Sequence, residues 1–315
     1  MLVLETTEVV VKQAKAVTID EDSIARWAAD VPPAALQPKG HELLGHLPGS
    51  QAKMANLVLL IDALNFCFWS PDPIKIDWRG QTYKRFEAMF VSLMLAVRYG
   101  PQWCDAEYWV RAPSDEIRQV LSGNGELLMM EERERTIRET GQTLIDRFDC
   151  QFMNAIDSVN EQAWPLAVLL MTNFDSFRDV SNYGGQPVYF MKRAQICALD
   201  VAIAWNMHEF PPLSGLEELT AFADYRLPQA LRHLGILHLT PELAETIDGE
   251  KEIVKDSEEE VEIRAATIHA VDRMRIAADK VGKPVSAWQI DWYLWGLSHN
   301  DDVTVNHHRT RTIFY

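Results

Sequence analysis

Apolar positions recur along most of this chain with the period of a helix and seldom with that of a strand. Leu57–Trp69 is the first long apolar segment. Arg85–Arg98 carries its apolar residues at helical spacing, Glu131–Phe148 reads as a charged surface helix with one buried stripe, and Ala163–Met171 as a buried helix. The turn Tyr183-Gly-Gly-Gln-Pro187 leads into Val188–Trp205, another apolar helix or a strand followed by one. Strand-like alternation is confined to Ile74–Trp78 and Gln81–Tyr83, a small hairpin closed at Arg79-Gly80. Residues 1–20, polar and β-branched, read as a strand or an arm. Pro32, Pro33, Pro38, Gly40, Gly45, Pro48 and Gly49 mark irregular chain carrying His41 and His46.

Helix starts are well marked in the second half. Ser214-x-x-Glu217, Ser257-x-x-Glu260 and Ser286-x-x-Gln289 have the spacing of a capping box, in which the capping residue and the residue three positions later satisfy each other's free N–H groups. They predict helices to about Ala223, Val281 and Ser298. Thr240-Pro241 starts another, with Pro where a missing N–H costs nothing. The acidic run Asp256–Glu262 reads as a solvated first turn, favourable at a helix N-terminus. The expected fold is mainly α with a small β element, in one compact unit.

At 315 residues and 47% apolar composition the chain can bury a large core. Its formal net charge of −16 argues against a nucleic-acid polymer as main partner, because phosphate neutralisation needs a basic surface. A small anionic ligand held by a few local cations stays open. Cys67, Cys104, Cys150 and Cys197 are widely spaced in apolar stretches and read as buried thiols, and His307-His308 lacks partners at metal-ligand spacing, so no metal or cofactor is expected. No signal core or spanning segment is legible, which points to a soluble cytoplasmic protein without membrane contact. Oligomeric state is not legible.

Two segments carry candidate chemistry. In Trp288–Trp295, helical spacing puts Asp291 on one face with Trp288, Trp292 and Trp295. In Phe222–Gln229, Asp224 stands among Phe222, Tyr225 and Arg226. A carboxylate beside aromatic rings suits a planar base, read by N–H acceptance and stacking. The plainer alternatives are a surface or capping Asp291 beside core indoles, and Asp224 as a helix cap or turn former. Lys192-Arg193 reads as a solvated helix end, or as a cation for a phosphate.

Eight segments go further. Asp62-Ala-Leu-Asn-Phe-Cys-Phe-Trp69, Arg79–Tyr83, Glu131-Glu-Arg133, Phe177-Arg-Asp179, Lys192–Gln195, Phe222–Gln229, Glu260–Arg264 and Asp291–Trp295 occur in this order. Together they resemble the queuosine salvage family, the queuosine 5′-phosphate N-glycosylase/hydrolases, from about residue 40 to the C-terminus. The resemblance implies a helical DNA glycosylase-like fold, with residues 1–40 as an N-terminal arm and 41–315 as a single glycosylase-like domain. It also implies hydrolysis of queuosine 5′-monophosphate to queuine and ribose 5-phosphate. Asp291 matches the catalytic aspartate, and Asp224, Tyr225 and Gln229 the base-contacting segment, with Phe222 beside them. A loop histidine matches His46 or His41, with His46 favoured by its distance to Asp62. Lys192 or Arg226 is the candidate for the 5′-phosphate. Some family members carry an acid five residues after the catalytic aspartate, where this chain has Gly296. The competing classes are a nucleic-acid base glycosylase and a non-catalytic carrier of a modified nucleoside.

Overall fold

The computed structural model describes residues 2–37 and 42–315; Pro38, Gly40 and His41 lie outside the described residues. The segment expected as strand or arm begins with a helix, α1 (Leu2–Gln13), followed by the short strand β1 (Val17–Ile19) and helix α2 (Glu21–Asp30). A 3-10 turn at Leu44–His46 precedes α3 (Gln51–Ala63), and the chain from Leu64 to Pro73 is irregular, so the apolar run expected at Leu57–Trp69 is half helix and half buried loop. The hairpin is as expected: β2 (Lys75–Trp78) pairs antiparallel with β3 (Gln81–Lys84), with Arg79 and Gly80 at positive φ in the turn. It runs directly into α4 (Arg85–Tyr99).

Two short helices, α5 (Ala106–Arg111) and α6 (Ser114–Val120), lead to α7 (Met130–Phe148), whose buried stripe is Arg133, Thr136, Ile137, Thr140, Gly141 and Leu144. After α8 (Phe152–Ser158) and α9 (Ala163–Asn173) comes a second hairpin, β4 (Val180–Tyr183) with β5 (Gln186–Tyr189), which opens into α10 (Lys192–Met207). Then follow α11 (Arg226–His233), β6 (Leu237–Leu239), α12 (Pro241–Asp248), α13 (Glu258–Lys280) and α14 (Ala287–Leu297). β6 pairs antiparallel with β1, and α1 and α2 pack on α13, so the N-terminal elements lie against the C-terminal half. The described residues are mainly helical, with three two-stranded sheets.

Three of the four predicted starts hold. Ser257 accepts from Glu260 N–H, Thr240 from Leu243 N–H, and Ser286 with Gln289 forms the reciprocal box. The fourth does not: Ser214-x-x-Glu217 yields only a 3-10 turn at Leu216–Glu218, and residues 219–224 have no regular structure. Two side chains from distant helices take that segment's backbone N–H groups. Gln195 Oε1 accepts from Thr220 N (2.8 Å), and Asp291 Oδ2 from Phe222 N (2.7 Å). A helix there would need those donors for itself.

The acidic run at the start of α13 also departs from expectation. Glu260 and Glu262 are buried. Glu262 accepts from Lys15 N, Ala16 N and the Tyr183 hydroxyl, while Glu260 accepts from Asp256 N and the Tyr315 hydroxyl. These carboxylates fasten the N-terminal elements, the second hairpin and the C-terminus to one helix.

Candidate active site

Buried arginines shape the site from behind. The end of α3 leaves carbonyls without helical partners. Arg193 donates to the carbonyls of Asp62, Ala63 and Ser176, and Arg133 to those of Leu64, Phe66 and Leu128. Both are fully buried, with their guanidiniums near the ring of Phe66. Lys192-Arg193 is therefore not a solvated helix end. The N-terminus of α10 is held by Asp179, whose Oδ2 accepts from Lys192 N (3.0 Å). Asp179 pairs in fork geometry with Arg264 of α13 (2.9 and 2.6 Å), and Arg264 Nε donates to Ala223 O in the irregular segment before α11.

These ties bring α4, α10, α14 and residues 222–226 around one cavity of about 620 Å³, a volume suited to a nucleotide. Asp291, Phe222, Asp224, Tyr225, Lys192 and Arg226 all line it. Asp291 is buried, held through Oδ2 by Phe222 N–H, and its Oδ1 has no hydrogen bond to any described residue. Burial pushes its carboxyl well above the usual range, with Asp224 adding to the rise; the Phe222 N–H and the Lys192 ammonium oppose it. Asp224 does cap a helix: its Oδ1 accepts from Arg226 N (2.7 Å) and Leu227 N (3.1 Å) at the start of α11. It nonetheless faces the cavity, so the capping and ligand-facing readings are compatible. Helix α11 begins at Arg226. Lys192 is buried between these carboxylates, which hold up a pKa that burial lowers, and its Nζ reaches Asn65 O at 3.4 Å.

His46 and Gln229 are elsewhere. His46 is exposed, edge-on to Trp78 (centroids 5.2 Å apart), and does not line the cavity. Gln229 donates to Val305 O (2.7 Å) and accepts from Arg226 (3.0 Å), bracing α11 rather than facing the cavity. Gly296 lines the cavity, and a Cβ built there meets nothing within 4 Å.

Two lining residues were not singled out from sequence. Arg85, at the first position of α4, has a buried Nε without a partner among the described residues. Burial and the nearby Arg226 lower its pKa. A cation in the first turn opposes the helix dipole, and that was the available signal. Asp200 lies two turns along α10 from Lys192, on the same cavity face as Ile196 and Leu199. Its signal was an acid inside an apolar helix. No cluster of three metal-ligating side chains occurs among the described residues. The four cysteines are free thiols, Cys150 half-buried and the others buried. No helix of the described residues is long and apolar enough to cross a membrane.

A mainly helical chain thus carries a nucleotide-sized cavity with carboxylates set among aromatic rings on one wall and, on another, an arginine whose Nε has no partner among the described residues, the class of site that suits a small anionic, planar ligand. The family is shown by comparison: a profile described as queuosine salvage protein matches residues 46–315, and the chain belongs to that family. A protein of Sphaerobacter thermophilus named queuosine 5′-phosphate N-glycosylase/hydrolase is 40% identical over 314 residues, covering 99% of this chain and 97% of that one. Proteins of the same name from Dictyostelium discoideum (37% over 262 residues, 83% and 78% covered) and Bos taurus (29% over 336 residues, 99% and 98% covered) are also similar.

Proposed function

We propose that this chain hydrolyses the N-glycosidic bond of queuosine 5′-monophosphate, releasing queuine and ribose 5-phosphate for queuine salvage. The relatives named above carry that activity in their name over nearly the whole chain. The observation that carries the site assignment is Asp291, a carboxyl gripped on one oxygen, without a partner among the described residues on the other, and walled into a nucleotide-sized cavity.

As the bond from C1′ to the base lengthens, positive charge grows on the ribose. Asp291 as carboxylate stabilises that charge, or attacks C1′ to form a covalent intermediate. Its burial works in favour of this role: an anion that burial disfavours gains most when a cation develops beside it. Asp224 accepts N–H groups of the guanine-like edge through the oxygen not spent on the helix cap. Tyr225 and Phe68, both on the cavity wall, stack on the base. Lys192 balances the carboxylates, so the phosphate falls to Arg226 and Arg85. The −16 charge disfavours a polymer substrate over a mononucleotide.

Purified protein incubated with queuosine 5′-monophosphate should release free queuine, followed by mass spectrometry. Tight binding without release would leave the carrier reading standing instead. Arg85→Met should raise KM for the 5′-phosphate by roughly 10- to 100-fold, the value of a charge-assisted contact. It should leave KM for the unphosphorylated nucleoside unchanged. Equal losses on both substrates would remove Arg85 from the phosphate.

A further inference from the structure

We propose that Asp200 is a second catalytic residue: in the reaction proposed above, on which this inference rests, its carboxylic acid gives a proton to the departing base, backed by the carboxyl of Asp62. Asp200 is a buried acid in the middle of α10, with no hydrogen bond and no ion pair to any described residue, and it faces the cavity. A buried carboxyl without donors is stable in its neutral form or against a ligand. Behind it, Asp62 of α3 is fully enclosed, with the side chains of Asn65 and Cys197 as its nearest polar neighbours. Helices α3 and α10 pack on each other. Burial lifts Asp62 to about 7 and Asp200 well above its usual range, and the Asp62 charge raises Asp200 further. Two such neighbours share protons, because both cannot ionise cheaply. Only Asp200 opens onto the cavity.

The other charged groups on this side are few. Lys192, on the same helix, opposes the rise; the Cys197 thiol is held neutral by burial. Helix α9, packed against α10, has no titratable side chain, and His46 of the adjoining 3-10 turn is exposed. Asp224, Asp291, Arg85 and Glu87 line other parts of the cavity. Phe222 N–H donates to Asp291 and no described residue donates to Asp200, so the anion is assigned to Asp291 and the neutral acid to Asp200. One wall then holds an anion and another a neutral acid, the division of labour that glycoside cleavage uses.

The substrate makes the acid necessary. A 7-deaza base has carbon at position 7, so its departure cannot be assisted by a proton there. When the C1′ bond breaks, its electron pair goes to the base and spreads onto the remaining ring nitrogens and the carbonyl oxygen. The Asp200 O–H bond breaks and its proton joins the base. A water oxygen bonds to C1′, its proton passes to solvent, and Asp200 is reprotonated from solvent when queuine leaves. No oxidant, reductant or further reactant is needed.

The test is the pH dependence of kcat for queuosine 5′-monophosphate. In wild type, activity should rise as Asp291 ionises and fall at higher pH as Asp200 loses its proton. Asp200→Asn should lower kcat by about 100-fold or more, the usual worth of a general acid, and abolish the falling limb, with KM changed by less than about threefold. A second variant, Asp62→Asn, removes the charge behind Asp200 and should move the falling limb to lower pH; this arm decides if Asp200→Asn does not fold. Retention of wild-type kcat in Asp200→Asn, a lowered kcat with the falling limb intact, or an unmoved limb in Asp62→Asn would overturn the assignment. Wild type that releases no queuine at any pH would instead sink the proposed reaction itself.

Discussion

Asp291→Asn should lower kcat by on the order of 10³-fold, about 4 kcal/mol of transition-state stabilisation, while KM or substrate affinity changes only a few-fold. The reasoning is geometric. Asparagine keeps the shape, and its carbonyl can still accept from Phe222 N–H, the bond that Asp291 Oδ2 now makes at 2.7 Å. The free oxygen, however, becomes a neutral amide and cannot balance a ribosyl cation. The ground state loses little and the transition state loses most. Steady-state release of queuine and calorimetric binding of the nucleotide separate the two. Turnover within about tenfold of wild type would remove Asp291 from the chemistry.

The same substitution has a stability signature. The raised folded-state pKa of Asp291 means that the folded protein holds this proton to higher pH than the unfolded chain. Its contribution is fully present below the unfolded value, about 4, and is lost as pH rises through the folded value. The variant has no such loss. Its melting temperature should therefore exceed wild type at neutral pH, with the gap closing near pH 4.

Asp179→Ala should cost about 3–5 kcal/mol, the penalty for stranding a buried charge. Asp179 and Arg264 are both essentially inaccessible to solvent, and their fork is joined by Glu260 at 3.7 Å. Without Asp179, Arg264 loses both short contacts and Lys192 N loses its acceptor at the start of α10. In a chain of this size that corresponds to a fall in melting temperature of roughly 5–8 °C. Chemical denaturation and thermal melts measure it. Replacing both partners, Asp179→Leu with Arg264→Met, should recover much of the loss, because the cost lies in the orphaned charge more than in the absent attraction. A single variant within about 1 kcal/mol of wild type would show the pair to be dispensable. Asp179→Ala should also depress turnover, since Arg264 holds Ala223 O and Asp179 holds the helix that carries Lys192.

What was legible depended on range. The caps at Thr240, Ser257 and Ser286, the hairpin at Arg79-Gly80 and the stripe of α7 are set by neighbours within a few residues, and these were read correctly. Ser214 has an equally good local pattern, yet its helix is replaced by irregular chain because Gln195 and Asp291 claim the N–H groups of Thr220 and Phe222. Glu260, Glu262, Lys192 and Arg193 look like surface charges by composition. They are buried because partners 55 to 247 residues away take their hydrogen bonds: Tyr315 for Glu260, Lys15 for Glu262, Asn65 and Ala63 for the cations.

The sequence by itself determined that this is a mainly helical protein, that it belongs with the queuosine salvage family, and that Asp291 and Asp224 are acids set among aromatic rings. Those properties rest on side-chain order and helical period, which the linear chain carries whole. Tertiary structure alone decided that Asp224 both caps α11 and faces the ligand cavity, that His46 and Gln229 stand outside that cavity, and that Arg85, Asp200 and Asp62 stand at or behind its walls. Those facts depend on which distant group reaches each donor or acceptor first, and on where burial makes a charge expensive. Neither is a property of local sequence.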